Sequence, residues 1–453
     1  MTRCALAPIL AAALASSASA ERTPTALSGG ATTVHATGRD AFTLPAANLA
    51  PERRAAFEKG LREFNETWLP APSAESHRDG LGPLFNAASC AACHADGGRT
   101  DPYMKDSPAM LVRLNSAART DTGARRGDPT YGNQIQHQAI AGHTPEARPE
   151  TQWITLKGTY PDGEPYELRK PSVLLYARGY GDISDAAQTS VRTAPPVFGT
   201  GLLEAIPAGT ILALADPADA DGDGISGRPN LVWDIRAREK RIGRFGWKAG
   251  QPTVEQQVAA AFANDIGVTS DLFMMDDTTP AQKAAHEAEQ GGVPELDADR
   301  LADITLYSET IGVPARRSLG DPQALRGEAL FDAIGCAACH TPELKTGPHR
   351  LPELAHQTIR PYTDLLLHDM GAELSDVQFE FDANGREWRT PPLWGIGLTE
   401  TVNGHLSLLH DGRARSFEEA ILWHGGEAEG SARRFRELPK DERDALVAFL
   451  RSL

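Results

Sequence analysis

Positive charge is in short supply in this chain. Its 45 Lys and Arg are outnumbered by 61 Asp and Glu, a net charge of −16. That balance excludes nucleic acid and anionic membrane surfaces as natural partners and leaves room for a basic one. Cysteine is scarce as well, five in 453 residues. Cys4 lies in a leader-like segment and the other four sit in two short motifs, so no disulfide framework is expected. After residue 20 no stretch is long and apolar enough to span a bilayer. Aromatic residues make up only 6%, against 42 Gly and 32 Pro. This is the composition of a loop-rich protein whose interior is partly filled by something other than side chains. At 453 residues the chain exceeds one ordinary core, and two or more domains are expected.

What is present is a repeat. Cys90-Ala91-Ala92-Cys93-His94 recurs letter for letter as Cys336-Ala337-Ala338-Cys339-His340. In C-x-x-C-H the two thiols add across the vinyl groups of a haem, and the next imidazole is placed under the iron as proximal ligand. A bare C-x-x-C also reads as half a zinc site, a thioredoxin-like redox pair or a disulfide. Each of these leaves the shared histidine unexplained, including one zinc held by all four cysteines. The expectation is two covalently bound haem c groups, with His94 and His340 as iron ligands.

The repeat extends beyond the motifs. Leu84-Phe85-Asn86-Ala87 leads into the first and Leu330-Phe331-Asp332-Ala333 into the second, and eight of eleven residues match through the histidine. Downstream, Arg192-Thr193-Ala194-Pro195-Pro196 is echoed by Arg389-Thr390-Pro391-Pro392. Pro195 follows His94 by 101 positions, whereas Pro391 follows His340 by 51, so the first half carries an insertion. Much of 95–190 is that insertion, and the alternation at 152–156 and 166–168 suggests β-hairpins within it. The expected fold is mainly α, two cytochrome-c-like haem domains related by duplication, with a loop- and β-hairpin-rich insertion in the N-terminal half. The segments are a signal peptide at 1–20, a mobile lead-in at 21–48, an N-terminal haem domain with its insertion at 49–250, a helical linker at 251–320 and a C-terminal haem domain at 321–453. Arg3, the apolar run from Ala5 to Ala15 and Ala18-Ser19-Ala20 have the order of a cleaved secretory signal. Export to a periplasm agrees with haem c.

Two further features carry chemistry in more than one way. Asp219, Asp221 and Asp223, with Gly224 next, start an EF-hand-type calcium loop, but position 12 is Asn230 in place of the bidentate Glu. Calcium and a plain Asx-turn both fit. Gly222, Gly224 and Gly227 match a dinucleotide fingerprint on paper, yet the aspartates between them would repel a pyrophosphate and no strand-then-helix pattern surrounds them. Trp247 lies between the two halves and could relay electrons between porphyrins, or could be core.

The two haem motifs, the Pro-Pro repeats, Gly243-Arg244-Phe245-Gly246-Trp247-Lys248 and Tyr362-Thr363-Asp364-Leu365-Leu366-Leu367-His368-Asp369-Met370-Gly371 together resemble the bacterial di-haem oxidoreductase family, a peroxidase-like family. The resemblance runs from about residue 50 to the end. More distantly the chain is similar to di-haem cytochrome c peroxidases and to the di-haem enzyme that matures the cofactor of methylamine dehydrogenase. That similarity is clearest at Leu409-His410-Asp411-Gly412 and the helix after it.

The resemblance implies an axial ligand for the second haem just beyond that segment. Counting from Glu419-Ala420 puts His424 there, where the peroxidases have methionine and the maturation enzyme tyrosine. Met370 and His410 are the alternatives. Bis-imidazole ligation lowers the potential relative to His/Met. The first haem would then meet substrate, with Met104, Met110, Tyr131, Gln134, His137 and His143 all available as its distal residue. The resemblance also offers Glu204 as an acid/base, although its repeat mate Glu400 fits a structural role. The expected function is a periplasmic di-haem c-type oxidoreductase, peroxidase-like, drawing electrons from a small redox protein or cytochrome and passing them to hydrogen peroxide or another small oxidant. The alternatives are a non-catalytic electron-transfer protein and a di-haem oxidase acting on a partner protein.

Overall fold

The computed structural model describes residues 25–453; the expected signal peptide, 1–20, lies outside the described residues. Two helix crossings carry the architecture. Helix Pro51–Asn65 opens with proline in its first turn, where the missing N–H is no loss, and turns Phe57 and Phe64 inward. It crosses helix Ala298–Thr310, whose N-cap Asp297 accepts the Arg300 N–H. The crossing is close because Gly60 has no side chain. A Cβ there would lie 2.6 Å from Tyr307 Cβ and nearer still to the Asp303 carbonyl. The rings of Phe57 and Phe64 come to 5.1 and 5.2 Å from that of Tyr307.

Helices Pro322–Ala333 and Lys440–Ser452 repeat the arrangement. Gly327 lies against the Ala445 carbonyl, with a notional Cβ 2.8 Å from Phe449 Cβ, and Phe331 packs 5.3 Å from the Phe449 ring. In both pairs the phenylalanine four residues after the glycine reaches the motif histidine. Phe64 is 6.1 Å from His94 at 54°, and Phe331 is 6.2 Å from His340 at 56°. The duplication is therefore one of packing geometry as well as of sequence. Helix Ala298–Thr310, inside the stretch assigned above to a linker, does for His94 what Lys440–Ser452 does for His340.

The expectation of a mainly α protein is not met. Helix accounts for 31% and strand for 18%, spread over many small sheets. Among the described residues these are six two-stranded antiparallel ribbons. The physical reason lies in the 42 Gly and 32 Pro, which break helices and leave long connections. Those connections satisfy their backbone groups by pairing locally. A lone ribbon is marginal in water, so the short ones lean on the core, as Leu367–Asp369 and Glu387–Arg389 do. The longest pairs Arg148–Thr159 with Pro165–Tyr176, in the inserted region. Residues 25–48 also differ from the mobile lead-in expected of their composition. Ala41 and Phe42 are fully buried, the Phe42 ring lies 4.4 Å from that of Phe198, and the Ala46 N–H donates to the Thr310 carbonyl.

Gly60→Ala and Gly327→Ala should each destabilise the holoprotein by about 1–3 kcal/mol, the cost of overpacking a close crossing. Chemical denaturation checks this, with Gly320→Ala, at a position with nothing within 4 Å, as the silent control.

Candidate functional site

One continuous cavity is lined by both motifs, with Cys90, Cys93 and His94 at one part of its wall and Cys336, Cys339 and His340 at another. Cys90–Cys93 forms a single helical turn whose N-cap, Ser89, accepts the Ala92 N–H at 3.3 Å. Cys336–Ala338 is a tighter turn entered through Gly335, whose φ of 89° a side chain would strain. All four thiols are free, and burial pushes Cys90 and Cys336 up to about 12. Among the described residues no candidate metal cluster contains two cysteines. The four thiols therefore do not converge on one tetrahedral ion.

The histidines show what the cavity is built to hold. Burial pushes His94 and His340 down to about 4, so both rings are neutral, as metal ligation requires. His340 Nδ1 donates to the Tyr362 carbonyl at 2.9 Å, and His424 Nδ1 donates to the Ala420 carbonyl at 2.7 Å. In each ring the Nδ1 proton is thereby fixed and the Nε2 lone pair is left free. His424 lines the same cavity as His340 and is close enough to act on its titration. Met370 also lines the cavity, packed on the apolar cluster of the second half. His410 stacks on Trp388, centroids 3.7 Å apart at 14°, and burial pushes it down to about 3. The opposite face of Trp388 is covered by the Lys248 ammonium, 3.9 Å from the ring centroid.

Trp247 lines the cavity where the two repeats meet. Its indole N–H donates to the Thr193 carbonyl at 2.7 Å, and its own carbonyl accepts the Arg389 N–H at 2.9 Å. Other residues singled out from sequence lie elsewhere. Met104, Met110, Tyr131, Gln134, His137 and His143 are all absent from the cavity wall. Glu204 is absent too. Its carboxylate accepts the Val254 N–H at 2.8 Å, at the start of helix Val254–Ala261, and burial raises its pKa. Asp219, Asp221 and Asp223 bring carboxylate oxygens within 4.8 Å of one another on the exposed loop. They accept the N–H groups of Gly224, Asp223 and Ile225 in Asx-turn fashion. Asn230 is turned away, its amide donating to the Lys248 and Glu380 carbonyls. The sequence offered no signal for Gln257, which lines the cavity from the helix beside the first motif.

His368, which the family-like segment 362–371 contains without an assigned role, anchors a cluster of its own. Its Nε2 meets Asp364 Oδ2 at 2.8 Å and its Nδ1 meets Glu427 Oε2 at 2.7 Å, with Cys339 Sγ at 3.6 Å. Burial alone would lower its pKa, but Asp364, Cys339 and Glu427 override that and push it up to about 12. Glu427 is held down to about 2 despite burial, by His368, the Asp369 N–H and Ser226. An imidazolium between two carboxylates is thus built beside the second motif. Its raised histidine contributes stability fully present below about 6.5 and lost as pH rises toward about 12. Its depressed glutamate contributes stability fully present above about 4.5 and lost as pH falls toward about 2. His368→Gln should therefore destabilise the protein by about 3–5 kcal/mol. In denaturant titrations the difference from wild type should be flat between pH 4.5 and 6.5 and shrink above that window; a difference unchanged to strongly alkaline pH would contradict the assignment.

The residues present fit two haem groups. Two C-x-x-C-H turns, three half-buried imidazoles and a shared cavity bounded by apolar and cationic side chains supply the donor set such groups require. No curated protein matches the chain. The family described as "di-haem oxidoreductase, putative peroxidase" matches residues 23–119 and 145–453. With nearly its whole length matched, the chain belongs to this family of di-haem oxidoreductases.

Proposed function

We propose that the protein is a periplasmic c-type di-haem oxidoreductase of the peroxidase kind, in which electrons enter at the haem of the second motif and peroxide is reduced at that of the first. The observation that carries this reading is the inequality of the two sites. His340 shares its part of the cavity with a second imidazole whose Nε2 is free, that of His424. Beside the first motif, helix Val254–Ala261 lines the cavity with Val254, Gln257, Val258, Ala260 and Ala261, none of which can ligate iron. One site is built to be closed on both sides and the other to admit a small molecule.

When bound, the haems supply one-electron storage and, where a coordination position is open, the redox chemistry of peroxide. The chain supplies the rest. Cys90, Cys93, Cys336 and Cys339 would anchor the two groups covalently, and His94 and His340 would hold their irons. Trp247, bonded to one repeat through its side chain and to the other through its backbone, lies where electrons must cross. Gln257 offers an amide to hold peroxide. Each turnover takes two electrons and two protons and converts one peroxide to two waters. The electrons come from a small redox protein, and the net charge of −16 favours one with a basic face.

Electron paramagnetic resonance of the purified holoprotein, oxidised and half-reduced, tests this directly. The expected result is one low-spin bis-imidazole iron and one high-spin iron that reacts with peroxide, with peroxide consumed when a reduced cytochrome is supplied. His424→Gly should abolish the bis-imidazole signal and leave the other iron unchanged. Two inert low-spin irons in both states would make the protein an electron carrier. A high-spin iron oxidised by peroxide but unable to draw on any small donor would favour an oxidase of a partner protein.

A further inference from the structure

Four guanidinium groups line the cavity, those of Arg99, Arg113, Arg192 and Arg389. Two of them face acids. Arg192 Nη1 pairs with Glu380 at 2.6 Å, and Arg113 acts on Asp265 and Glu380 from a position fixed by its bond to Gln134. Arg99 and Arg389 have no ion pair among the described residues, yet they are 7% and 6% exposed. Arg99 Nη1 donates to the Ser407 carbonyl at 2.9 Å, while its Nε is buried without a partner. Arg389 donates from Nε to the Gly246 carbonyl at 3.0 Å and from Nη1 to the Thr390 carbonyl at 3.1 Å. Carbonyl groups aim both side chains; Arg99 has no carboxylate partner, and Arg389 feels only Asp364, whose carboxylate is already bonded to His368. A guanidinium cannot escape burial by losing its proton, so an uncompensated one in a low-dielectric wall needs an anion from outside the chain.

We propose that Arg99 and Arg389 each clamp a porphyrin propionate, Arg99 at the first motif and Arg389 at the second. The assignment rests on the di-haem reading above. A haem brings carboxylates into a buried space, and the fork of a guanidinium matches a carboxylate through two parallel N–H donors. Carbonyl bonds occupy one N–H of Arg99 and two of Arg389 out of the five each side chain carries. Arg99 lies five residues after His94, and Arg389 heads the second Pro-Pro repeat. The support is crossed: Arg99, from the first half, is aimed by Ser407 of the second, and Arg389, from the second, by Gly246 of the first. Each arginine thus takes one of its aiming bonds from the other half of the chain.

The test uses holoprotein carrying Arg99→Gln, Arg389→Gln, Arg99→Lys or Arg389→Lys. It reads haem per chain by the pyridine haemochrome, the propionate-bending band by resonance Raman, and both midpoint potentials by spectroelectrochemistry. Each Gln variant should shift the propionate band of one haem and lower that haem's potential, a different haem for each variant, because a cation beside it is lost. The Lys variants should hold the potential near that of wild type. If a Gln variant loads only one haem, its Lys counterpart should load two. Unchanged bands and potentials in both Gln variants, or Lys variants indistinguishable from Gln, would overturn the clamps while leaving the di-haem reading intact. A wild-type chain without haem would sink that reading and the clamps with it.

Discussion

Imidazoles and guanidinium groups buried around a space that no side chain fills set the terms for the rest of this structure. Five histidines and four arginines line one cavity. A low-dielectric interior disfavours each of them in its charged form unless a partner is supplied. The protein meets this demand in several ways. His94 and His340 stay neutral, His368 is fixed as a cation between two carboxylates, and Arg192 is paired with Glu380. Two glycine crossings bring the helices close enough for Phe64 and Phe331 to reach the motif histidines. The halves are then joined where Trp247 bonds to both repeats. Packing, electrostatics and the placing of the motifs are one arrangement viewed at three scales.

That arrangement explains why a duplicated chain carries two unlike sites. The helix crossings, the motif turns and the Pro-Pro segments recur in both halves, so the scaffold around each motif is the same. The differences come from what is added. In the second half the chain returns through the helix Phe417–Leu422 and ends it beside the cavity at His424. In the first half the corresponding wall is the helix Val254–Ala261, with small and amide side chains. Symmetry supplies the binding of two similar groups, and its local breaking supplies a difference between them.

How much of this was legible in the sequence depends on the distance over which each feature is determined. The motifs and their repeat are local patterns and could be read directly, whereas His424 was named only through the family resemblance. The signal for the helix crossings was also present, as a glycine followed four residues later by phenylalanine at Gly60 and Phe64 and again at Gly327 and Phe331. Apolar periodicity marks both partner helices, but nothing local joins Ala298–Thr310, within the helical linker expected at 251–320, to the first motif. The mainly α expectation failed because periodicity detects helices but is blind to two-residue and three-residue ribbons stapled across loops. The His368 cluster was invisible because Glu427 comes from 59 positions away and only the fold brings it in. Glu204 shows the converse: its repeat register was clear, but the fold directs its carboxylate to a backbone amide and not to the cavity.

The central claim is that the single cavity holds two haem groups, each bonded to its own C-x-x-C-H turn. Mass spectrometry of the mature chain after full denaturation tests it most directly, because only covalently attached groups survive unfolding. The account predicts a mass exceeding that of the mature polypeptide by two haems, falling by one haem when both cysteines of either motif are replaced by serine. A denatured chain at the bare polypeptide mass, or one that keeps two adducts after a motif is removed, would contradict it.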